Sequence, residues 1–251
     1  MRIAVAGATG NIGARVVAAL QGAGHEVVAI SRSNGVDLTT GQGLDAALAG
    51  VRAVVDAISA PPTDRDSTVD YLGTATRNLL AAEDRAGVAH HVLLSIVGIH
   101  DIDGNPHYAG KREQERLVEA GPVPWTVVPA TQFHDFAEMV VGWTKQDGPD
   151  GATAPIAPLL VQPIDPDDIA DVLAEVVVGD PQGRHADVAG PQTQDLVDMA
   201  RRTLAVRGTE VTLVPTWSSI FGVEMAGNAL LPGDGAHIAP TTFDQWLSRQ
   251  Q

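Results

Sequence analysis

The sequence predicts an α/β fold: a doubly wound parallel sheet with a small C-terminal α/β lobe. Three observations predict it. Short apolar runs alternate with longer amphipathic stretches from the first residue to about Glu175. A glycine-rich turn joins the first run to the first amphipathic stretch, and beyond Ala130 the regular pattern loosens. Such alternation implies right-handed crossovers, which make the strands parallel and put helices on both faces.

Each element follows from local chemistry. Arg2–Ala6 reads as a short buried strand. Asn11–Ala23 carries Ile12, Val16, Val17 and Leu20 at helical spacing and stops at Gly22 and Gly24. Glu26–Ile30 reads as a second strand, Gly43–Ala49 as a short helix and Arg52–Ile58 as a third strand. Asp66–Ala86 forms a long helix, and Val92–Val97 a fourth strand preceded by His90 and His91 in a loop. Asn105 is a capping residue with Pro106 at the first helical position, opening a helix to about Ala120. Trp125–Val128 is the fifth strand, and Gly148–Pro163, rich in Gly, Pro and Ala, reads as loops with one or two short strands. Asp165-Pro166-Asp167-Asp168 places a capping carboxylate, a first-turn proline and two acids at the positive dipole end of a helix to about Val178. Further helices are expected over about Thr193–Val206 and from near Thr241. There is no internal repeat, so residues 1–251 are read as one domain, with about 131–251 contributing a smaller substrate-binding lobe.

Composition narrows the function classes. The chain has 251 residues, 16 Lys+Arg against 31 Asp+Glu and a formal charge of −15. That charge repels nucleic acid and anionic lipid, so neither is expected as a partner. No apolar run approaches the ~18 residues a membrane span needs. The opening Met1-Arg2-Ile3-Ala4-Val5 shows no export signal, and the expectation is a cytoplasmic protein. The absence of cysteine excludes disulfides, thiol catalysis and cysteine-ligated metal. Aromatic residues make up only 4%, so the core must be built from Ala, Val, Leu and Ile.

Gly7-Ala8-Thr9-Gly10-Asn11-Ile12-Gly13 lies between the first strand and the first helix. Gly7 permits the tight turn, Gly10 lets the backbone approach a pyrophosphate, and Gly13 lets the helix pack against the strand. The spacing is G-x-x-G-x-x-G, and its position after the first strand marks a dinucleotide site formed by a Rossmann-type unit. An NAD site usually places Asp or Glu at the end of the second strand. Here stand Ser31-Arg32-Ser33, with no acid until Asp37. A guanidinium flanked by hydroxyls suits a 2′-phosphate, so NADP(H) is expected in preference to NAD(H).

With these motifs the chain resembles the atypical short-chain dehydrogenases/reductases of the NmrA-like, NAD(P)H-binding group. The resemblance continues through Asp37-Leu38-Thr39, Leu94-Ser95, Lys111 with Glu115, Pro124-Trp125-Thr126, Asp168-Ile169-Ala170-Asp171-Val172 and Gly190-Pro191. It implies that Asp37 and Leu38 lie on the adenine side and that Ala57, Ile58 and Ser59 line the dinucleotide. It also implies that Lys111 bonds the nicotinamide ribose. Pro129 and Ala130, at the carboxyl edge of the fifth strand, belong with the cofactor in the same reading.

Carbonyl-reducing members of the group use a Ser, a Tyr and a Lys, the ammonium lowering the phenol pKa for proton transfer. Ser95, Tyr108 and Lys111 match those types, but the usual Tyr-x-x-x-Lys spacing is one residue short here. His107 stands four residues before Lys111. Positions three and four apart both share a helix face, so Tyr108, His107 or neither is the proton donor. On the substrate side, Gln132, Phe133 and Phe136 follow the fifth strand. Relatives often carry Arg-Pro where this chain has Val128-Pro129, which points to a neutral, apolar substrate.

Other motifs dissolve on inspection. Asp101-x-Asp103-x-Asn105 starts like a calcium loop, but Pro106 takes the glycine position and Arg112 the final acid. His90-His91 lacks a third ligand, and no metal is expected. The mixed-sign run Lys111–Arg116 reads mostly as a solvated helix face. No Gly-x-Ser-x-Gly elbow is present. The expected activity is NADP(H)-dependent reduction of a carbonyl, quinone or activated alkene on a small apolar molecule. The alternatives are a non-catalytic NADP(H) redox sensor, or an epimerase or isomerase with a tightly bound dinucleotide. Homo-oligomerisation stays open.

Overall fold

The computed structural model describes residues 1–60, 64–149 and 151–250. β1 (Arg2–Ala6) leads through the glycine turn into α1 (Asn11–Gly22) and β2 (Glu26–Ile30). Then follow α2 (Leu44–Leu48), β3 (Ala53–Asp56), α3 (Arg65–Ala86), β4 (His90–Ile96), α4 (Pro106–Glu119) and β5 (Trp125–Ala130). The remainder begins with α5 (Phe136–Thr144), β6 (Gln146–Gly148), β7 (Gly151–Ile156), β8 (Leu160–Val161) and α6 (Pro166–Val178). It continues with β9 (Gly183–Arg184), β10 (Val188–Ala189), β11 (Gln194–Asp195), α7 (Leu196–Arg207), β12 (Thr212–Pro215), β13 (His237–Ile238) and α8 (Phe243–Ser248). None of the helices among the described residues is long and apolar enough to cross a membrane.

The strand order of the main sheet is β2-β1-β3-β4-β5-β10-β13, with β9 also pairing with β5. Every pairing in it is parallel. The chain leaves β1 in one direction to form β2 and in the other to form β3. That reversal opens a crevice at the carboxyl ends of β1 and β3, where open α/β sheets bind ligands.

Alternation along the strands distributes the core. Ile3, Val5, Val92, Leu94 and Val128 pack with Val16 and Leu20 of α1 and with Ile169 and Leu173 of α6. Ala4, Ala6 and Val54 pack with Leu44 of α2 and with Leu72 and Leu79 of α3, while Leu93 and Val127 meet Val118 of α4. A fourth cluster joins Val140, Ile156, Met199, Leu204, Phe243 and Trp246 in the lobe, and reaches Ile99, Ile102 and Tyr108 beside the main sheet.

Three expectations need correction. The third strand is only four residues long, and the fourth begins at His90, so the two histidines are strand residues. They are buried against hydrogen-bond partners: His91 Nδ1 lies 2.9 Å from both Glu83 carboxylate oxygens, and His90 Nε2 lies 2.8 Å from Thr126 Oγ1. Polar pairing thus extends a strand that the apolar run alone would begin two residues later. The region after residue 130 is not one contiguous lobe, because β9, β10 and β13 return to the main sheet. Those strands have two residues each, too short for periodicity to reveal. The lobe itself carries the β6–β7 hairpin extended by β12; Asp150, inside the expected Gly148–Pro163 loop region, lies outside the described residues.

Candidate functional site

The glycine turn is shaped by contacts no side chain tolerates. Gly7 has φ +77°, and a Cβ there would lie 2.8 Å from the Ala57 carbonyl oxygen. A Cβ on Gly13 would lie 2.1 Å from the Gly7 carbonyl oxygen. Gly10 caps α1 without a side-chain bond, and its carbonyl takes the first intrahelical bond, from Ala14 N at 3.0 Å. The amides of Asn11, Ile12 and Gly13 therefore precede the helical ladder and remain available to an anion. Thr9 and Asn11 are exposed at this rim, whereas Ile12 is buried beneath it. Ala57, Ile58 and Ser59 adjoin the same turn; Ile58 N donates to Asp56 Oδ1 at 3.0 Å.

At the end of β2, Ser31 Oγ and Ser33 Oγ lie 2.9 Å apart, and Arg32 between them is exposed. Arg32 makes no ion pair among the described residues. Asp37 Oδ1 accepts from Thr39 Oγ1 at 2.7 Å and from Thr39 N at 2.8 Å. These bonds, with a smaller pull from Arg32, hold its carboxyl below the ordinary range. Asp37 is thus occupied by its own turn, and Leu38 offers its carbonyl to Asn78 Nδ2 at 2.8 Å.

The second half of the site is α4. Asn105 caps it, accepting from His107 N at 2.9 Å and Tyr108 N at 3.2 Å. Lys111 is buried, and burial pushes its ammonium down to about 8 against the opposing charges of Asp56 and Glu115. Burial, with the Lys111 ammonium, pushes His107 down to about 4. Burial pushes the Tyr108 phenol up to about 12, with the Gln132 bond opposing. Lys111 thus acts on His107, four positions away, and not on Tyr108, three positions away.

Ser95 is not brought to Tyr108. Its Oγ donates to Glu115 Oε1 of α4. The reason is strand alternation: Ser95 shares the face of Leu93, which packs toward α4. Glu115 also meets His100 Nε2 at 2.7 Å and Arg184 Nη1 at 2.9 Å. Burial alone would raise Glu115, but these three partners outweigh it and hold the carboxyl low. The run Lys111–Arg116 is consequently not a solvated face, because Lys111, Gln114 and Glu115 point inward.

Beyond β5, Pro129 pairs with Ser95, and the Ala130 carbonyl accepts from Val97 N at 3.0 Å. Gln132 Nε2 donates to Tyr108 Oη at 3.4 Å, while its Oε1 is buried without a partner among the described residues. Phe133 and Phe136 do not share a pocket wall. Phe133 packs on the α1 and α6 side, whereas Phe136 packs against Trp143 and Phe221 in the lobe cluster.

Sequence reading missed three features: Asp56 at the end of β3, the Glu115–His100–Arg184 hub, and an Asp135–Asn11 bond at the rim. A carboxylate ending an all-apolar strand signals Asp56, and the four-residue spacing from Lys111 signals Glu115. Nothing local signals Arg184, which is distant in sequence. Two cavities lie elsewhere. One, about 640 Å³, is bordered by Val197, Arg201, Leu204 and Leu213; the other, about 310 Å³, by Thr241, Gln245 and Arg249. The open crevice at the sheet edge, rather than either cavity, gathers the predicted residues. Among the described residues there is no group of three or more His, Asp or Glu able to hold a metal ion.

A family described as NAD(P)H-binding matches residues 7–180. No curated protein matches the chain. Solved structures similar to it include a short-chain dehydrogenase/reductase superfamily protein from Agrobacterium tumefaciens with bound NAD. It is 18% identical, covers 100% of this chain and 96% of that one, and has a TM-score of 0.70. The NADPH-dependent quinone oxidoreductase from Escherichia coli with NADPH is 16% identical, over 98% of this chain and 99% of that one, at a TM-score of 0.72. Triphenylmethane reductase from Citrobacter sp. with NADP(H) is 20% identical, over 86% and 79% respectively, at a TM-score of 0.63. At these identities the likeness is one of fold.

Proposed function

The chain belongs to the NAD(P)H-binding family, and from that premise we propose that it is an NADP(H)-dependent oxidoreductase. Its substrate class is a carbonyl, quinone or activated alkene on a small apolar molecule. The observation that carries this reading is the steric requirement for glycine at Gly7 and Gly13, set beside the unladdered amides of Asn11–Gly13. A side chain at either glycine would strike backbone, so the tight turn that would present these amides to a pyrophosphate depends on both. Arg32, with Ser31 and Ser33, would hold the 2′-phosphate; Ala57, Ile58 and Ser59 would flank the dinucleotide, and Lys111 would face its nicotinamide ribose. The bound dinucleotide supplies the hydride.

The preference for NADP(H) rests on charge. Asp37 commits one carboxylate oxygen to Thr39, which leaves it less suited to a ribose 2′-hydroxyl, while Arg32 is unpaired among the described residues. In the proton step, Tyr108 is a protonated phenol at neutral pH, oriented by Gln132 as a hydrogen-bond donor to substrate oxygen. His107 is neutral there and carries no exchangeable charge. Of these three groups, Lys111, at about 8, lies nearest to neutrality. The position of Tyr108 outside the influence of Lys111 favours one second reading, a redox sensor that binds NADP(H) without turnover.

Calorimetric titration with NADPH, NADP⁺, NADH and NAD⁺ tests the cofactor, and NADPH oxidation with quinones, aldehydes and enones tests the reaction. NADPH is expected to bind most tightly, with Arg32→Ala losing about tenfold or more for NADPH while leaving NADH unchanged. Absence of dinucleotide binding overturns the proposal. Tight binding without turnover of any acceptor leaves the sensor.

A further inference from the structure

Asp135 precedes α5 at the N-cap position, yet its side chain makes no capping bond. Its carboxylate turns instead toward the glycine turn, where Asn11 Nδ2 donates to Oδ2 at 2.6 Å. The other oxygen, Oδ1, is buried with no partner among the described residues. Among the described residues no ion pair neutralises the group; the neighbouring Arg15 guanidinium binds Asp167 at 2.8 Å and pulls on Asp135 only weakly. Burial raises the Asp135 carboxyl, with the Asn11 bond opposing. A buried acceptor left without a donor is costly, and a donor from outside the chain would relieve that cost.

The topology indicates which donor. Arg32 stands at the end of β2, the glycine turn at the end of β1, and Lys111 on α4, which follows β4. A dinucleotide lying along this edge with its 2′-phosphate at Arg32 carries its nicotinamide half toward β4 and β5. Asp135 follows β5 and is tethered to Asn11, which puts the residue at that end of the edge. A pyrophosphate is repelled by a carboxylate, whereas a carboxamide NH₂ is a neutral donor. Resting on the dinucleotide reading above, we propose that Asp135, oriented by Asn11, accepts the carboxamide hydrogen bond of the nicotinamide ring. Asp135 is then a cofactor-positioning residue, fixing which ring face is presented.

The test is calorimetric binding to the full chain, to Asp135→Ala and to Asp135→Asn. Three probes are used: NADP⁺, its acetylpyridine analogue with a methyl in place of the carboxamide NH₂, and the adenosine bisphosphate half alone. The wild type is expected to prefer NADP⁺ over the analogue by about tenfold. Asp135→Ala should weaken NADP⁺ by about tenfold and bind the two dinucleotides alike, with Asp135→Asn intermediate. The adenosine half should bind all three proteins equally, which reports an intact fold. Equal binding of both dinucleotides by the wild type, or equal weakening of both by Asp135→Ala, overturns the assignment and leaves the dinucleotide site standing. Failure of the wild type to bind any probe instead overturns the dinucleotide reading, and this inference with it.

Discussion

Ser95 Oγ donates to a carboxylate oxygen of Glu115, so the serine next to the end of β4 is bonded to α4 seven residues beyond Tyr108. Glu115 links that strand to His100 in the following loop and to Arg184 on β9. The arrangement predicts a structural effect for Ser95→Ala: a loss of about 1 kcal/mol in denaturant unfolding, since Glu115 keeps His100 and Arg184 as partners. Turnover should stay within about threefold of wild type. Glu115→Ala should cost more, on the order of 2–3 kcal/mol, because it strips a buried hub and leaves the Ser95 hydroxyl unpaired. A drop of a hundredfold in turnover for Ser95→Ala at unchanged stability would reverse this reading.

Tyr108 and His107 separate in the same way. Tyr108→Phe removes the hydroxyl bonded to Gln132 and is expected to lower kcat/KM by about tenfold to a hundredfold with NADPH affinity unchanged. His107→Gln, which replaces an imidazole already neutral, should alter kcat/KM by less than about threefold. Stopped-flow NADPH oxidation reads both. An unchanged rate in Tyr108→Phe removes the phenol from the reaction.

Gly13→Ala tests the turn directly. Its Cβ would lie 2.1 Å from the Gly7 carbonyl oxygen, a contact only a backbone shift relieves. The expected result is loss of dinucleotide binding with destabilisation of roughly 1–3 kcal/mol, read by calorimetry and urea unfolding. Gly22→Ala is the control, because open space surrounds that position. The contrast also marks what the sequence made legible. The glycine spacing, the capping Asn105 and the capping Asp165 act within a few residues of themselves, and each element appears where its signal stands. The direction of Ser95, the Arg184 contact and the Asn11–Asp135 bond depend on residues 20 to 124 positions apart. Periodicity carries no information at that range. The mixed-sign run on α4 misled for a related reason: Lys111, Gln114 and Glu115 look solvated one by one, and only the partners supplied by β3 and β4 make that face buried.

The Glu83–His91 pair predicts a pH dependence of stability remote from the site. Burial alone would lower His91, but the Glu83 carboxylate outweighs it and raises the imidazole above 6.5. A group raised in the folded state stabilises fully below its unfolded pKa, and that contribution is lost as pH rises through the folded pKa. Unfolding free energy should therefore fall as pH rises above about 6.5, where the Glu83 carboxylate loses its counter-charge. His91→Gln should flatten this part of the profile. An equal slope in the variant assigns the dependence to another group.

Lys111 carries the opposite sign. Burial depresses its ammonium from 10.5 to about 8, so the folded state holds this proton less tightly than the unfolded chain does. A depressed group stabilises fully above its unfolded pKa, and that contribution is lost as pH falls through the folded pKa. At neutral pH the buried cation is therefore a cost, relieved only in part by Asp56 and Glu115. Lys111→Met keeps the length of the side chain and removes the charge. It should raise stability at pH 7 by on the order of 1–3 kcal/mol, with the gain shrinking as pH approaches about 10. The same variant should weaken NADPH binding about tenfold, because a ribose contact is lost. Turnover of the wild type should decline as pH rises through about 8, where the ammonium gives up its proton. Stability gained and affinity lost together would mean that this lysine is kept for its ligand at the expense of the fold. A variant that is less stable at pH 7 would show instead that the carboxylates around Lys111 need its charge to stay buried.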